Sequence, residues 1–207
     1  MGTEQAPSSY YESNFVSKRW RTGLVKMVKE LLPEEWESAA LLDVGVGDGY
    51  TIRLVKPEGS VVGIDVNPEM EKSALAKGID FRQGTAYHIP FGDQSFDVVT
   101  CVEVIEHLEK PGDAMVELKR VLKVGGSVVL TTPVPSATWR LLWWGWTRLG
   151  PGKRWEESPH VSELSLEEGK HVDHSLIPTL VQSSFRVEER KKCNFGFIAG
   201  IRATRVE

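Results

Sequence analysis

The run Leu41-Leu42-Asp43-Val44-Gly45-Val46-Gly47-Asp48-Gly49-Tyr50 sets three alternate glycines directly after a short apolar stretch. Glycines in such a turn let the backbone approach a ligand closely and present its amide groups to it. Sixteen residues beyond Gly49, Asp65 ends a second apolar stretch, where a carboxylate can accept both hydroxyls of a ribose. Together these features point to a nucleoside ligand. The dinucleotide fingerprint asks for Gly or Ala where this chain has Tyr50, and no P-loop lysine follows the turn, so neither NAD nor ATP is expected.

A second segment, Thr100-Cys101-Val102-Glu103-Val104-Ile105-Glu106-His107-Leu108, gathers two acids and an imidazole. If Glu103 opens a helix, Glu106 and His107 follow three and four residues later and all three side chains share one face. His107 could then take a proton from a hydroxyl near neutral pH, a task worth roughly 10² to 10⁴ in rate. The bland reading is that the segment satisfies the amide groups and dipole of a helix start.

These residues need elements to hold them. Leu24, Val25, Val28, Leu31 and Leu32 recur at helical spacing, so Thr22 to Leu32 is read as an amphipathic helix. Ala40 to Val46 and Ser60 to Val66 are apolar runs of the kind that form strands buried on both faces. Asn67, Pro68 and Glu69 supply an N-cap, a first-turn proline and an acid, predicting a helix to about Lys77 that Gly78 ends. Strands are then expected at Ile79 to Gln83, Asp97 to Cys101 and Ser127 to Thr132, with a helix from Pro111 to Leu122. Leu176 to Val181 is read as helical despite Pro178, and Phe185 to Glu189 with Phe195 to Ala203 as a closing antiparallel pair. Strands alternating with helices mark a doubly wound α/β sheet, whose ligands bind beyond the carboxyl ends of the strands.

With 207 residues, 41% hydrophobic and 26% charged, one globular domain is expected. A formal charge of −4 gives no general nucleic-acid signal, so no DNA contact is expected, and RNA only if Lys18, Arg19, Arg21 and Lys26 form a basic patch. The only two cysteines, Cys101 and Cys193, lack metal or disulfide spacing, and the N-terminus lacks a signal-peptide pattern, so the expected location is cytoplasmic. No stretch reaches the roughly 20 apolar residues of a membrane span. Val134 to Glu168 changes character, with Trp139, Trp143, Trp144, Trp146 and Trp155 among prolines, and reads as an insertion. Its tryptophans could pack a cap onto the sheet, line an apolar pocket or touch a membrane surface.

The turn, its acid and the later segments resemble the class I S-adenosylmethionine-dependent methyltransferases, and in particular the methyltransferase type 11 or ubiquinone-biosynthesis O-methyltransferase-like group. The resemblance runs through Asp43 to Gly49, Val62 to Asn67, Gly84 to Phe91, Phe96 to His107 and Leu118 to Leu130. It implies a Rossmann-like α/β fold: a mostly parallel, seven-stranded, doubly wound sheet with an antiparallel last strand pair and a small cap insertion. On that plan residues 1–39 are an N-terminal helical segment and 40–133 the cofactor-binding core. Residues 134–175 are the cap, and 176–207 complete the single domain.

The resemblance also implies roles. Gly45, Gly47 and Gly49 would lie against the methionine moiety of S-adenosyl-L-methionine, with Asp43 orienting its amino group and Asp65 holding the ribose. Val66 and Met70 would flank the adenine, and Val102 would pack on the cofactor. The turn Gly84-Thr85-Ala86 stands where family members often have Gly-Asp-Ala; the Thr85 hydroxyl can accept a hydrogen bond from the adenine amino group but lacks the charge, or it serves its own turn instead. Glu103 and His107 would face the acceptor, with His107 as the candidate general base. Tyr10 and Tyr11 could fold over the cofactor.

The Glu-x-x-Glu-His pattern also resembles the metal-binding helix of small-RNA 2'-O-methyltransferases, with His160, His171 or His174 completing a magnesium or manganese site. A metal is not required by the chemistry, since the sulfonium already makes the methyl electrophilic. The expected reaction is methyl transfer to a small, apolar or aromatic acceptor, at oxygen rather than nitrogen or carbon, leaving S-adenosyl-L-homocysteine. The alternatives are a non-catalytic cofactor-binding module and an RNA methyltransferase.

Overall fold

The computed structural model describes residues 15–134 and 177–207. Among them the chain order is α1 (Phe15–Leu31), β1 (Leu41–Val44), α2 (Tyr50–Val55), β2 (Val62–Asp65), α3 (Glu71–Ala76) and β3 (Asp80–Gln83). It continues through β4 (Phe96–Val102), α4 (Pro111–Val121), β5 (Leu122–Pro133), α5 (Ile177–Ser184), β6 (Arg186–Cys193) and β7 (Ile198–Thr204). The seven strands form one sheet in the order β3-β2-β1-β4-β5-β7-β6. Strands β3, β2, β1, β4 and β5 run parallel, while β7 is antiparallel to both β5 and β6.

Apolar patterning explains the layers. Every residue of β1 is buried, and so is Ser127 through Thr132 in β5, as strands covered on both faces require. On one face α1 presents Leu24, Met27, Val28 and Leu31 at helical spacing, packed with Ile52 and Val55 of α2 and Ala74 of α3. On the other, Ala114, Met115, Leu118 and Val121 of α4 meet Ile177 and Val181 of α5. The edge strand β6 carries exposed Arg186, Glu188, Arg190 and Lys192, a charged border that discourages pairing with another chain.

Several elements differ from the sequence expectation. Helix α1 starts seven residues earlier, at Phe15 rather than Thr22. The stretch after Asn67 divides into a 3₁₀ turn, Pro68–Met70, and the short α3, although Asn67 does cap it by accepting the Glu69 N–H at 3.0 Å. Strand β5 extends back to Leu122 because its register against β4 slips between Phe96 and Val98, so extra residues, including Gly125 at φ 80°, are absorbed there. Strand β7 begins at Ile198 instead of Phe195, since Asn194, Phe195 and Gly196 all take positive φ in a tight turn. Pro178 sits in the first turn of α5, where its missing N–H costs nothing. The Trp139 to Trp155 segment, His160, His171, His174, Tyr10 and Tyr11 lie outside the described residues. Among the described residues no helix is long and apolar enough to cross a membrane.

Candidate active site

Strand order reverses between β1 and β4: the chain winds outward through β2 and β3 on one side and through β5 on the other. A crevice therefore opens beyond the carboxyl ends of β1 and β4, where ligands of doubly wound folds bind. The glycine turn follows β1 and the Glu103 segment follows β4, so both chemical segments read from the sequence border this crevice.

The turn is built by backbone bonds. The N–H groups of Gly45 and Val46 both donate to Ile64 O, at 2.8 and 2.9 Å, tying the turn to the end of β2. Gly45, Gly47 and Gly49 all have positive φ, at 75°, 52° and 77°. Gly49 starts α2 in that conformation, and a Cβ there would strike Ile79 Cδ1. At Gly47 a Cβ would meet nothing within 4 Å, so this stretch of backbone faces open space. A cradle of this kind fits a ligand laid against the main chain.

Asp65 closes the cradle. Its Oδ2 accepts the Gly47 N–H at 2.8 Å and its Oδ1 accepts the Asn67 N–H at 2.9 Å. A carboxylate has about four acceptor positions, so each oxygen keeps capacity for a ribose hydroxyl. Beside it Val66 is 62% exposed, an apolar surface beyond β2, and Met70 is half-buried. Asp43 lies deeper, 5% exposed, and accepts the Thr100 Oγ1 hydroxyl at 2.5 Å. Burial lifts its pKa to about 7, against the lowering effect of the Thr100 bond, and the Asp65 charge adds to the rise.

Thr85 serves its own turn. Its Oγ1 accepts the Tyr87 and His88 N–H groups at 3.2 and 3.0 Å, so its acceptor capacity is directed to the backbone and its hydroxyl proton remains the group it can offer. Ala86 is buried beneath that turn and Val102 is half-buried at the end of β4.

Glu103 does not open a helix. It takes φ 54°, left-handed, and the helical residues that follow are a 3₁₀ turn at Ile105–His107. The strand's end explains this: the Glu103 N–H donates to Thr131 O at 3.2 Å and Thr131 Oγ1 at 3.1 Å, holding the chain against β5 while it turns away. The three side chains consequently do not share one face. Glu103 is half-buried, Glu106 is buried and His107 is exposed. Burial raises the Glu103 pKa above the ordinary carboxylate value, and the Arg21 charge opposes that rise. Burial likewise carries Glu106 to about 8, with Glu103 adding to the effect. Among the described residues no group of three or more His, Cys, Asp or Glu side chains is placed to hold a metal ion.

Arg21 reaches the start of α2, just beyond the glycine turn, a placement that local spacing did not single out. Its guanidinium lies 4.9 Å from the Tyr50 ring centre and donates to Thr51 Oγ1 at 2.6 Å. It thus turns inward to the start of α2, whereas Arg19 and Lys26 are exposed, which divides the basic patch considered from the sequence. Its partners are about thirty residues away along the chain, beyond any local signal. A cavity of about 610 Å³ lined by Lys119, Val124, Arg186 and Arg205 lies at the opposite ends of the strands, away from this crevice.

Comparison with known proteins agrees with this geometry. Residues 42–130 match the family described as "Methyltransferase domain". A demethylmenaquinone methyltransferase of Lactobacillus johnsonii is 35% identical over 147 residues, covering 65% of this chain and 60% of that protein. An uncharacterized methyltransferase of Schizosaccharomyces pombe is 40% identical over 104 residues, 42% of this chain and 37% of that protein. The chain thus spans 60% or less of these relatives' length. Among solved structures, an N-methyltransferase of Bradyrhizobium japonicum in complex with S-adenosyl-L-homocysteine superposes with a TM-score of 0.67 at 17% identity, over 99% of this chain and 94% of that one. A Haloferax volcanii protein solved with the methyltransferase activator Trm112 gives 0.67 at 19% identity, over 92% and 91%. At such identities these two speak for the fold alone.

Proposed function

We propose that the chain, whose residues 42–130 match the methyltransferase domain family, is a class I S-adenosylmethionine-dependent methyltransferase that transfers a methyl group to a small apolar or aromatic acceptor, at oxygen. The carrying observation is the open Gly47 backbone bonded to Asp65, at the carboxyl ends of β1 and β2 next to the point where strand order reverses.

The cofactor, when bound, supplies an electrophilic methyl group and needs an aligned nucleophile more than it needs further catalysts. Gly45, Gly47 and Gly49 would hold its amino-acid portion, the spare acceptor capacity of Asp65 its ribose, and Val66 and Met70 its adenine. Asp43, buried on Thr100, supports the turn from beneath. Glu103, rather than exposed His107, is our candidate to receive the acceptor's proton at a carboxylate oxygen. Its fixed backbone aims it from the end of β4, and a carboxyl raised toward neutrality is a better base than an ordinary one. The quinone-linked relative is consistent with an apolar ring acceptor.

The test is transfer of labelled methyl from S-adenosylmethionine to a panel of phenols and quinols, with RNA as the macromolecular arm. Glu103→Gln should lower turnover by about 10² with S-adenosylhomocysteine affinity kept, and His107→Ala should retain turnover. Loss in His107→Ala with full activity in Glu103→Gln would reverse the assignment, and transfer to RNA alone would replace the acceptor class.

A further inference from the structure

The amino-acid portion and the base of the methyl donor are joined to its ribose at opposite flanks. With the amino-acid portion on the glycine turn after β1 and the ribose on Asp65 at the end of β2, the base extends toward β3, because β2 stands between β1 and β3. The turn that meets it there is Gly84-Thr85-Ala86, directly after β3. The Gly84 N–H donates to Asp65 O at 3.0 Å, tying this turn to the ribose residue itself. The far end of the loop is fixed from α4: Glu117 accepts the Ile89 N–H at 2.9 Å, and Arg120 donates to Ile89 O and Phe91 O at 2.9 and 2.8 Å. A Cβ at Gly84 would come within 2.8 Å of Pro90 Cδ, so the loop is closed tightly on itself.

Thr85 sits in this fixed turn with its hydrogen bonds already divided. A threonine hydroxyl has one proton to give and two lone pairs to fill. Thr85 Oγ1 accepts the Tyr87 N–H at 3.2 Å and the His88 N–H at 3.0 Å, the second shared with Thr85 O at 3.1 Å. Among the described residues its hydroxyl proton goes to no acceptor. Adenine offers, side by side, an amino group that donates and a ring nitrogen that accepts. We propose that Thr85 addresses the base of the cofactor as a hydrogen-bond donor to a ring acceptor and leaves the amino group unread, so that the site takes a 6-oxo purine in place of adenine with little loss. This rests on the cofactor reading given above. A 6-oxo purine exchanges the pair, setting a carbonyl acceptor beside a ring N–H, and the hydroxyl reaches that carbonyl by rotation. A carboxylate at position 85 would behave otherwise: one oxygen would cap the turn as Thr85 Oγ1 does, and the other would accept from the amino group and repel the carbonyl.

The preference can be read without knowing the acceptor. S-adenosylhomocysteine and its 6-oxo analogue, S-inosylhomocysteine, are titrated by calorimetry into ligand-stripped wild type, Thr85→Ser and Thr85→Asp. The ratio of the two dissociation constants is the readout. Both ligands need the same folded state, so a loss of stability weakens both and leaves the ratio unmoved. Wild type should favour the adenosyl ligand by no more than about fivefold, roughly the net worth of one neutral hydrogen bond. Thr85→Ser, which keeps the hydroxyl, should keep the wild-type ratio, and Thr85→Asp should raise it by at least about tenfold. A wild-type preference beyond that limit, a smaller rise in Thr85→Asp, or a ratio in Thr85→Ser that moves toward that of Thr85→Asp would overturn the proposal. The wild-type ratio decides alone if Thr85→Asp does not fold. Failure of folded wild type to bind S-adenosylhomocysteine at all would defeat the cofactor reading instead, and is scored from that titration separately from the ratio.

Discussion

Replacing Glu106 by glutamine separates the charge of that buried side chain from its shape. Glu106 is 3% exposed, and neither carboxyl oxygen has a hydrogen-bond partner. Its own backbone N–H lowers the pKa somewhat without reaching hydrogen-bond geometry, but burial dominates and, with Glu103, carries the group from 4.5 to about 8. The folded protein therefore binds this proton more tightly than the unfolded chain. Below the unfolded value both states are protonated and nothing is lost. As pH rises past 4.5 the unfolded chain ionises while the folded protein does not, so stability falls until the folded group also ionises near 8.

At 1.36 kcal/mol per pH unit the full loss is about 5 kcal/mol. Glutamine has no such proton to bind, and its own unpartnered amide adds a cost independent of pH. The stability of Glu106→Gln relative to wild type should therefore improve by up to about 5 kcal/mol between about pH 4 and about pH 8.5. With a urea slope of about 2 to 3 kcal/mol per molar, that is a relative midpoint displacement of about 2 M. Asp43, raised chiefly by burial, contributes a fall of the same sign to both proteins and cancels in the comparison. Urea titrations followed by tryptophan fluorescence at five or so pH values give the two curves. Parallel curves would show that Glu106 ionises in its ordinary range and would refute the reasoning.

The turn yields two further predictions. Asp65→Asn turns one of the two acceptor oxygens into a donor facing either the Gly47 or the Asn67 N–H; we expect a stability loss of about 1 to 3 kcal/mol and at least a tenfold weaker S-adenosylhomocysteine affinity by calorimetry. Gly49→Ala meets both positive φ and the buried Ile79 side chain, so a loss of about 2 kcal/mol or more is expected in urea unfolding; a loss no greater than that of Gly47→Ala, whose Cβ would enter open space, would count against this packing.

What the sequence made legible was local. The glycine turn, Asp65 and the buried strands around them announce themselves because strand, turn and acid follow one another within twenty-five residues from Leu41 to Asp65. The direction of the Glu103 segment is not legible locally because a single left-handed residue, pinned by Thr131 on the neighbouring strand, decides it, and Thr131 is 28 residues distant. Without that bond Glu103 to His107 spaces like a helix; with it, His107 goes outward and Glu106 inward. Arg21 reads as one member of a basic cluster until α1 docks and delivers it to Thr51. Thr85 showed the reverse: its local turn chemistry, visible in the sequence, is what the structure contains.

The central claim is that the Gly47 and Asp65 cradle binds the methyl-donor cofactor. Calorimetric titration of ligand-stripped protein with S-adenosylhomocysteine, and separately with NAD, tests it most directly. Saturable one-to-one binding of S-adenosylhomocysteine is expected, with no heat from NAD beyond dilution. A folded sample that binds NAD, or that leaves S-adenosylhomocysteine free, would contradict it.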